Sequence, residues 1–239
     1  MMVLHRKSGY IEYYNRHNSN LPSNNIYSII SDGYGGLWVA SLEYLLHFDI
    51  DKRNFTIVDV DEDGHKLQQY NRLLFCDSKK RIWAGGEMGI SVFNQVGTSL
   101  LPNTDFQIAS VLKQAFVNCF YETSSGYLWI GTRNGLFALK ESDKQFLQYT
   151  TENGLPSNVI YGILEDAYGR LWISTNQGLS CLNPESGKFR NFTIMDGLQG
   201  NQFNAGAYCR KDNGYMLFGG VNGITSFRPE TLIDNPYAP

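Results

Sequence analysis

The sequence has few charges and no long apolar run, and each shortage excludes a class of protein. Only 18% of its 239 residues are charged, below the roughly 25% of ordinary globular proteins, yet its apolar content argues against disorder. Its 20 basic and 23 acidic residues give a net charge of −3, so the basic surface that nucleic acid requires is absent. No apolar stretch approaches the ~18 residues of a membrane-spanning helix, and none follows the basic N-terminus as in a secretion signal. We expect no nucleic-acid partner and no membrane segment.

Clusters of reactive residues are also scarce. The cysteines form no C-x-x-C pair, so neither a zinc ribbon nor a redox motif is indicated, and we expect them to be buried apolar residues. The four histidines have no metal-ligand spacing. Acidic residues such as Asp32 and the pair Glu165–Asp166 lie in predicted turns, where hydrogen bonds to the backbone account for them. We therefore expect no catalytic residue, no metal ion and no cofactor. The cysteines are Cys76, Cys119, Cys181 and Cys209.

A repeat of about 45 residues runs through the chain. Tryptophan recurs at positions 38, 83, 129 and 172, at spacings of 45, 46 and 43 residues, and Leu217 stands where a fifth would fall. Each copy reads as a polar turn, Gly-x-aliphatic-Trp, small residues, a second turn and an aliphatic run. Leu21–Tyr27 returns almost unchanged as Leu155–Tyr161. Five copies in register argue against a β-sandwich with accidental tryptophan spacing.

Each repeat is predicted to form four short strands. In the fourth copy, apolar runs at 158–165, 170–175, 179–183 and 188–193 are separated by turn residues. Four strands per ~45-residue period are typical of a β-propeller blade. The predicted fold class is therefore all-β, a β-propeller of about five four-stranded blades over residues 1–232, with each tryptophan a buried wedge between blades. The predicted repeat units lie near 21–65, 66–112, 113–154, 155–200 and 201–232.

The two ends of the chain resemble parts of a blade. Residues 3–14 match the third and fourth strands of a blade, and the last copy has three strands, ending with Ile224–Phe227. Residues 233–239 are expected to be an exit linker. Two architectures fit these ends. In one, residues 3–14 close a five-bladed ring, because closure removes exposed strand edges. In the other, the chain is a fragment of a seven-bladed ring.

The repeat is similar to that of a known family. Asp166–Leu179 follows D-x-x-G-x-L-W-[IV]-[GS]-T-x-x-G-L, which resembles the two-component regulator propeller repeat, and the resemblance extends from about residue 3 to 232. It implies the extracytoplasmic or periplasmic sensor region of a hybrid two-component histidine kinase of Bacteroidetes. In that family seven-bladed rings are usual, and the last blade leads into a short Ig-like domain. The resemblance implies that the chain is part of a longer sensor.

One face of the predicted propeller collects loops with amide side chains. Because strands alternate in direction, the loops between second and third strands share a face with the connections between blades. Amides both donate and accept hydrogen bonds, which suits hydroxyl-rich ligands such as sugars. Asn24 and Asn158, whose surroundings repeat, are expected to stabilise their own turns. The ligand-binding candidates are loop residues whose surroundings do not repeat: Arg133, Asn134, Gln177, Asn201 and Gln202.

These features favour a non-catalytic module that binds a small molecule or an oligosaccharide. A signal would pass through ligand-linked changes in how propellers, or two copies of the chain, pack together. One alternative is a protein-interaction scaffold, which predicts a partner patch on one face. A second is a polysaccharide-active lyase or hydrolase, which predicts a buried carboxylate pair facing the axial channel.

Overall fold

A computed structural model describes residues 1–41, 44–58, 71–103, 112, 115–140 and 145–232. These residues form antiparallel β-strands and short 3₁₀ turns, and no helix among them has the length and apolar character that a membrane crossing requires. The chain divides into two compact units, Met1–Val117 and Asn118–Pro239. Each unit is built from sheets whose strands follow one another in chain order.

The first unit contains a hairpin and two four-stranded sheets. The hairpin pairs β1 (Met2–Leu4) with β2 (Ile11–Tyr13). Blade 1 consists of β3 (Ile26–Ser31), β4 (Gly36–Ser41), β5 (Leu45–Asp49) and β6 (Asn54–Ile57). Blade 2 consists of β7 (Asn71–Cys76), β8 (Arg81–Gly86), β9 (Gly89–Val96) and β10 (Ser99–Pro102). One apolar core joins the hairpin to blade 1, and a second, around Trp38, joins blade 1 to blade 2.

The second unit contains two four-stranded sheets and one of three strands. Blade 3 consists of β11 (Val117–Glu122), β12 (Tyr127–Thr132), β13 (Gly135–Lys140) and β14 (Gln145–Tyr149). Blade 4 consists of β15 (Ile160–Glu165), β16 (Leu171–Thr175), β17 (Gly178–Asn183) and β18 (Lys188–Phe192). Blade 5 consists of β19 (Phe203–Arg210), β20 (Met216–Gly220) and β21 (Gly223–Phe227). Apolar cores around Trp129 and Trp172 join blade 3 to blade 4 and blade 4 to blade 5.

The sequence-based strands agree with these elements. The four strands predicted for the fourth copy match β15 to β18 to within two residues at each end. The predicted N-terminal strand pair is the β1–β2 hairpin, and the last copy has the predicted three strands. The exit linker at 233–239 lies outside the described residues. Turn residues between alternating apolar runs were therefore sufficient to locate the strands, because each turn allows one reversal of an antiparallel sheet.

The tryptophans occupy the positions expected of wedges. All four are at most 2% exposed, and Trp38, Trp129 and Trp172 each pack in an apolar cluster that spans neighbouring blades. The prediction of buried cysteines was correct for Cys119 and Cys181, but Cys76 is only partly buried, and the prediction was wrong for Cys209, which is exposed. Cys209 lies near the end of β19, whose final two residues are both exposed. All four cysteines are free thiols.

Gly178 closes the turn between β16 and β17, and we expect it to be intolerant of a side chain. Its φ is 108°, and an added Cβ would overlap the carbonyl oxygen of Phe192. Gly187 also has a positive φ, of 67°, but has open space around it. Gly178→Ala should lower the free energy of unfolding by about 3 kcal/mol, and Gly187→Ala by only about 1 kcal/mol. Urea unfolding of both variants measures the difference, and equal losses would contradict the predicted overlap.

Candidate functional site

In the second unit, the turns between second and third strands lie against the connections between blades. The N–H of Gly135 donates to the carbonyl of Asn158 over 2.8 Å, and the N–H of Gly178 donates to the carbonyl of Asn201 over 2.6 Å. These contacts confirm, within this unit, that the two kinds of loop share a face. We call the surface formed by Arg133, Asn134, Asn176, Gln177, Asn201 and Gln202 the loop surface.

A threonine hydroxyl supports each turn of the loop surface. In blade 3, Thr132 Oγ1 accepts from the N–H of Asn134 at 2.9 Å, and in blade 4, Thr175 Oγ1 accepts from the N–H of Gln177 at 3.0 Å. The side chains of Arg133, Asn134 and Gln177 are exposed. The backbone of each turn is therefore held by the blade, while the predicted ligand-binding side chains face solvent.

Asn201 belongs to a repeated structural bond, which the sequence reading missed. Its Oδ1 accepts from the N–H of Ile194 at 2.8 Å, just as Asn158 Oδ1 accepts from Thr151 and Asn24 Oδ1 accepts from Arg16. The turn role expected for Asn24 and Asn158 is thus present, and Asn201 shares it. The signal was in the sequence, because Leu198-Gln-Gly-Asn aligns with Leu155-Pro-Ser-Asn. The ligand-binding role of Asn201 stays a prediction. Its Oδ1 already accepts a hydrogen bond within the turn.

Asn176 adds an unsatisfied group to the loop surface. Its Oδ1 is buried and has no hydrogen-bond donor among the residues that the structure describes. A buried acceptor without a donor loses its hydration at a cost of about 1–3 kcal/mol. Gln177, beside it on the same turn, is exposed and offers both a donor and an acceptor to solvent.

A buried carboxylate fastens the turn between the first and second strands, and its geometry is the same in blades 2 and 4. Asp166 Oδ1 accepts from the N–H groups of Tyr168 and Arg170 at 2.9 and 3.0 Å. Its Oδ2 accepts from Arg170 Nε at 2.7 Å and from Trp172 Nε1 at 3.0 Å. Asp77 makes the same four kinds of bond in blade 2. We call this arrangement the turn clamp; it explains the Asp and Trp of the repeat as structural residues.

Blade 1 uses a histidine in its version of the turn clamp. Asp32 Oδ1 accepts from the N–H groups of Tyr34 and Gly36 at 2.8 and 2.7 Å, and Asp32 Oδ2 lies 2.7 Å from His47 Nε2. Burial raises the pKa of Asp32, but the hydrogen bonds from His47 and the turn outweigh burial and place that pKa below its ordinary value. His47 pairs with Trp38 across β4 and β5, as Cys181 pairs with Trp172 across β16 and β17, so it is a structural residue of the blade.

The paired carboxylates of blade 4 are both held by protein donors. Glu165 accepts from the N–H of Ser124 at 3.0 Å and from its hydroxyl at 2.9 Å, whereas Asp166 belongs to the turn clamp. Acid–base catalysis needs a carboxyl group within reach of a substrate proton. These bonds give the pair a structural role. Within the described ranges, no group of three or more His, Cys, Asp and Glu side chains is arranged to hold a metal ion.

Comparison with known families identifies the repeat. The model of the two-component regulator propeller matches residues 20–43, 112–134 and 154–177. Each segment contains the first two strands of a blade, in blades 1, 3 and 4. The resemblance predicted from the sequence is confirmed. The matched segments end in the second-to-third-strand turns, where the loop surface begins.

The chain is similar to a histidine kinase and to the extracellular domain of a two-component system, and it covers a small part of each. Histidine kinase P4 of Formosa agariphila is 29% identical over 202 residues, which are 81% of this chain but 14% of that protein. The extracellular domain assigned to the hybrid two-component system BT3049 of B. thetaiotaomicron superposes with a TM-score of 0.74 at 23% identity, over 92% of this chain and 31% of that one. The chain thus spans less than a third of either relative.

The same fold also occurs in an enzyme. A virginiamycin B lyase of Staphylococcus aureus superposes with a TM-score of 0.63 at 14% identity, over 94% of this chain and 75% of that one. At such identity the likeness concerns the fold alone, and a fold does not determine chemistry. The predicted fold class is confirmed: the chain is a β-propeller of four-stranded blades.

Proposed function

Because three segments of this chain match the two-component regulator propeller repeat, we propose that it is a non-catalytic, ligand-binding sensor module of a longer two-component signalling protein. The single observation that carries this proposal is the match of three blade segments to the family model. The relatives in which this fold is part of a kinase or of an extracellular sensor domain support it. We place the module outside the cytoplasm, as in the B. thetaiotaomicron protein.

The proposed ligand is a carbohydrate-derived molecule bound at the loop surface. The exposed amides of Asn134 and Gln177, with the cation of Arg133 beside them, supply donors and acceptors on rigid turns. Hydroxyl groups both donate and accept, so they match a surface of amides better than a purely anionic or apolar ligand does.

Signal transmission by the module requires that the ligand bind one arrangement of the protein more tightly than another. A ligand shifts an equilibrium only through its different affinity for the two arrangements. Loop-surface turns are fastened to the connections between blades by the Gly135–Asn158 and Gly178–Asn201 bonds. We infer that a ligand on these turns favours one packing of the module against a second propeller or a second copy of the chain.

Arg133→Ala and Gln177→Ala test the site. Calorimetric titration with maltotriose, cellotriose, xylotriose, mannotriose and an unsaturated chondroitin disaccharide should give saturable binding to the wild-type chain by at least one probe. Each substitution should then weaken that binding at least tenfold, because each removes a polar group that contacts the ligand. Lys211→Ala, which removes an exposed cation from the first turn of blade 5, is the control and should bind as the wild type does. Unchanged affinity in both loop variants would reject this surface as the site.

A further inference from the structure

Several turns of the first unit lie at one end of its sheets. In blades 1 and 2, the turn between the first two strands and the turn between the last two are at the same end, because neighbouring strands are antiparallel. Gln95 joins the two blades here, since its Nε2 donates to the carbonyl of Asp32 at 2.5 Å and to that of Gly97 at 2.9 Å. Tyr10 of the hairpin turn and Arg53 of blade 1 line one surface depression. The hairpin turn is therefore at this end as well.

The exposed charged residues of these turns are nearly all basic. The turns cover residues 5–10, 32–35, 50–53, 77–80 and 97–98. They contain six exposed cations and one exposed anion, Asp51, whereas Asp32 and Asp77 are buried in their turn clamps. We call the six cations the basic turn face, and they are Arg6, Lys7, Lys52, Arg53, Lys79 and Lys80.

Nearby carboxylates offset only part of this charge. Asp49 Oδ2 accepts from Lys52 Nζ at 2.9 Å, and Glu12 Oε1 lies 3.1 Å from Arg53 Nη1. Even when these two carboxylates are counted with Asp51, the cations outnumber the exposed or partly exposed anions by six to three. The face therefore keeps an excess of positive charge.

This positive charge is a local feature of the first unit. The chain as a whole has a net charge of −3. In the matching turns of the second unit, the exposed charged residues that the structure describes are one cation, Lys211, and two anions, Glu185 and Asp212. The overall charge of the chain therefore conceals a basic patch on one of its faces.

Large side chains protrude among the cations. Tyr10, Tyr34 and Ile50 belong to three different turns and are 61%, 69% and 46% exposed. Single exposed apolar residues are common on protein surfaces. Two of these three, however, share a turn with cations of the basic turn face, and Tyr34 lines a cavity together with Lys80. Tyrosine beside lysine and arginine is typical of surfaces that settle at the headgroup level of a membrane.

We propose that the basic turn face docks the first unit on the surface of an anionic phospholipid bilayer. Its cations attract the negative headgroups, and each Lys or Arg near such a surface strengthens attachment about fivefold. Tyr10, Tyr34 and Ile50 then enter the interfacial layer between the headgroups and the hydrocarbon. These protruding side chains favour a bilayer over nucleic acid, because non-specific binding to a duplex rests on cations that neutralise its phosphates. Such docking is peripheral and needs no membrane-spanning helix.

Sedimentation with sucrose-loaded vesicles tests the proposal. The chain is mixed with vesicles of phosphatidylcholine alone or of phosphatidylcholine with phosphatidylglycerol, and the bound fraction is measured at low and at physiological salt. Attachment should be at least about tenfold stronger to vesicles that contain phosphatidylglycerol, and salt should weaken it by screening. Equal attachment to both kinds of vesicle would overturn the proposal. No sugar is present, so this result does not depend on a ligand at the loop surface.

Lys79→Gln/Lys80→Gln removes two cations from the basic turn face and should weaken attachment to anionic vesicles at least about tenfold. Lys188→Gln/Lys211→Gln lowers the net charge of the chain equally, at exposed residues of the second unit, and should attach as the wild type does within about twofold. Urea unfolding checks that each variant folds, and Arg6→Gln/Lys7→Gln, with the same expectation, replaces the first if it does not. Equal weakening by both kinds of variant would make net charge responsible and would overturn the proposal.

Tyr34→Ser/Ile50→Ser separates a bilayer from other polyanions. Loss of two side chains that enter the interface should weaken attachment to anionic vesicles at least about threefold. At equal phosphate concentration, the wild-type chain should bind a DNA duplex and inositol hexakisphosphate at least about tenfold more weakly than the vesicles. Binding of either compound as tight as that of the vesicles, or vesicle attachment that the double variant leaves unchanged, would identify a general anion-binding surface and overturn the proposal.

Discussion

Asp166→Ala is expected to lower the free energy of unfolding by about 3–5 kcal/mol, the cost of removing one partner of a buried ion pair. The carboxylate is buried and accepts from two turn N–H groups, from Arg170 and from Trp172. Without it, the indole N–H of Trp172 loses its acceptor in a place that excludes water, and Arg170, whose side chain is 32% exposed, loses its ion-pair partner. The measurement is urea unfolding followed by tryptophan fluorescence.

Two variants isolate the effect of the carboxylate. Asp212→Ala removes an exposed acidic residue from the corresponding turn of blade 5 and should change stability by less than about 0.5 kcal/mol. Asp166→Asn keeps the shape and the turn acceptor but not the charge, so its loss should lie between the two. A loss below about 1 kcal/mol in Asp166→Ala would show that the turn clamp does not hold the blade together.

Thr123→Asp is expected to do the opposite and to raise the free energy of unfolding by about 1–3 kcal/mol, the cost of an unsatisfied buried donor. The indole Nε1 of Trp129 is buried with no acceptor among the described residues, and Thr123 stands where the turn clamps of blades 2 and 4 have aspartate. The new carboxylate would accept from this indole, as Asp77 and Asp166 accept from theirs. Most substitutions destabilise a protein, so a gain at a buried site is a distinctive result. It also means that the chain gives up stability at this blade, as functional sites often do.

Two further variants test whether the gain in stability comes from the charge and the shape of the new side chain. Thr123→Asn offers a neutral acceptor to the same indole and should stabilise less, because hydrogen bonds to charged groups are stronger. Thr123→Asp/Tyr127→Arg rebuilds the clamp of blade 4 and should be at least as stable as the single variant, since the guanidinium offsets the charge of Glu165 nearby. Destabilisation by all three variants would contradict an unsatisfied indole as the feature that distinguishes blade 3.

The strands were predictable because they depend on period and turn residues alone. Alternation of apolar residues between Gly-, Asn- and Asp-rich turns locates β15 to β18 without any tertiary information. The pairing of the first strand was not predictable. Between β15 and β16 the register shifts at Ile160 and Gly162, and such a bulge depends on packing against the next blade. Gly162 lies so close to the Tyr208 ring of blade 5 that an added Cβ would overlap it.

The sites were less predictable than the fold. Comparison of aligned copies could have shown that Asn201 is structural and that Thr123 interrupts a series of aspartates, because both are visible in the sequence. The cavity beside Trp129 could not have been found in this way. It depends on how the rings of Tyr127 and Tyr149 settle beside Trp129, and the rotamers of facing side chains are fixed by packing that one sequence does not reveal. The ligand roles of Arg133, Asn134, Gln177 and Gln202 stay predictions.

The most direct test of a non-catalytic sensor module combines thermal unfolding with analysis of the sugar. The chain is heated with increasing concentrations of the five oligosaccharide probes, and each mixture is then examined by mass spectrometry. A molecule that binds only the folded state raises Tm as its concentration rises. We expect at least one probe to raise Tm in this way and to be recovered intact. Recovery of a shortened or unsaturated product would make the chain an enzyme, and the absence of stabilisation by every probe would contradict carbohydrate sensing.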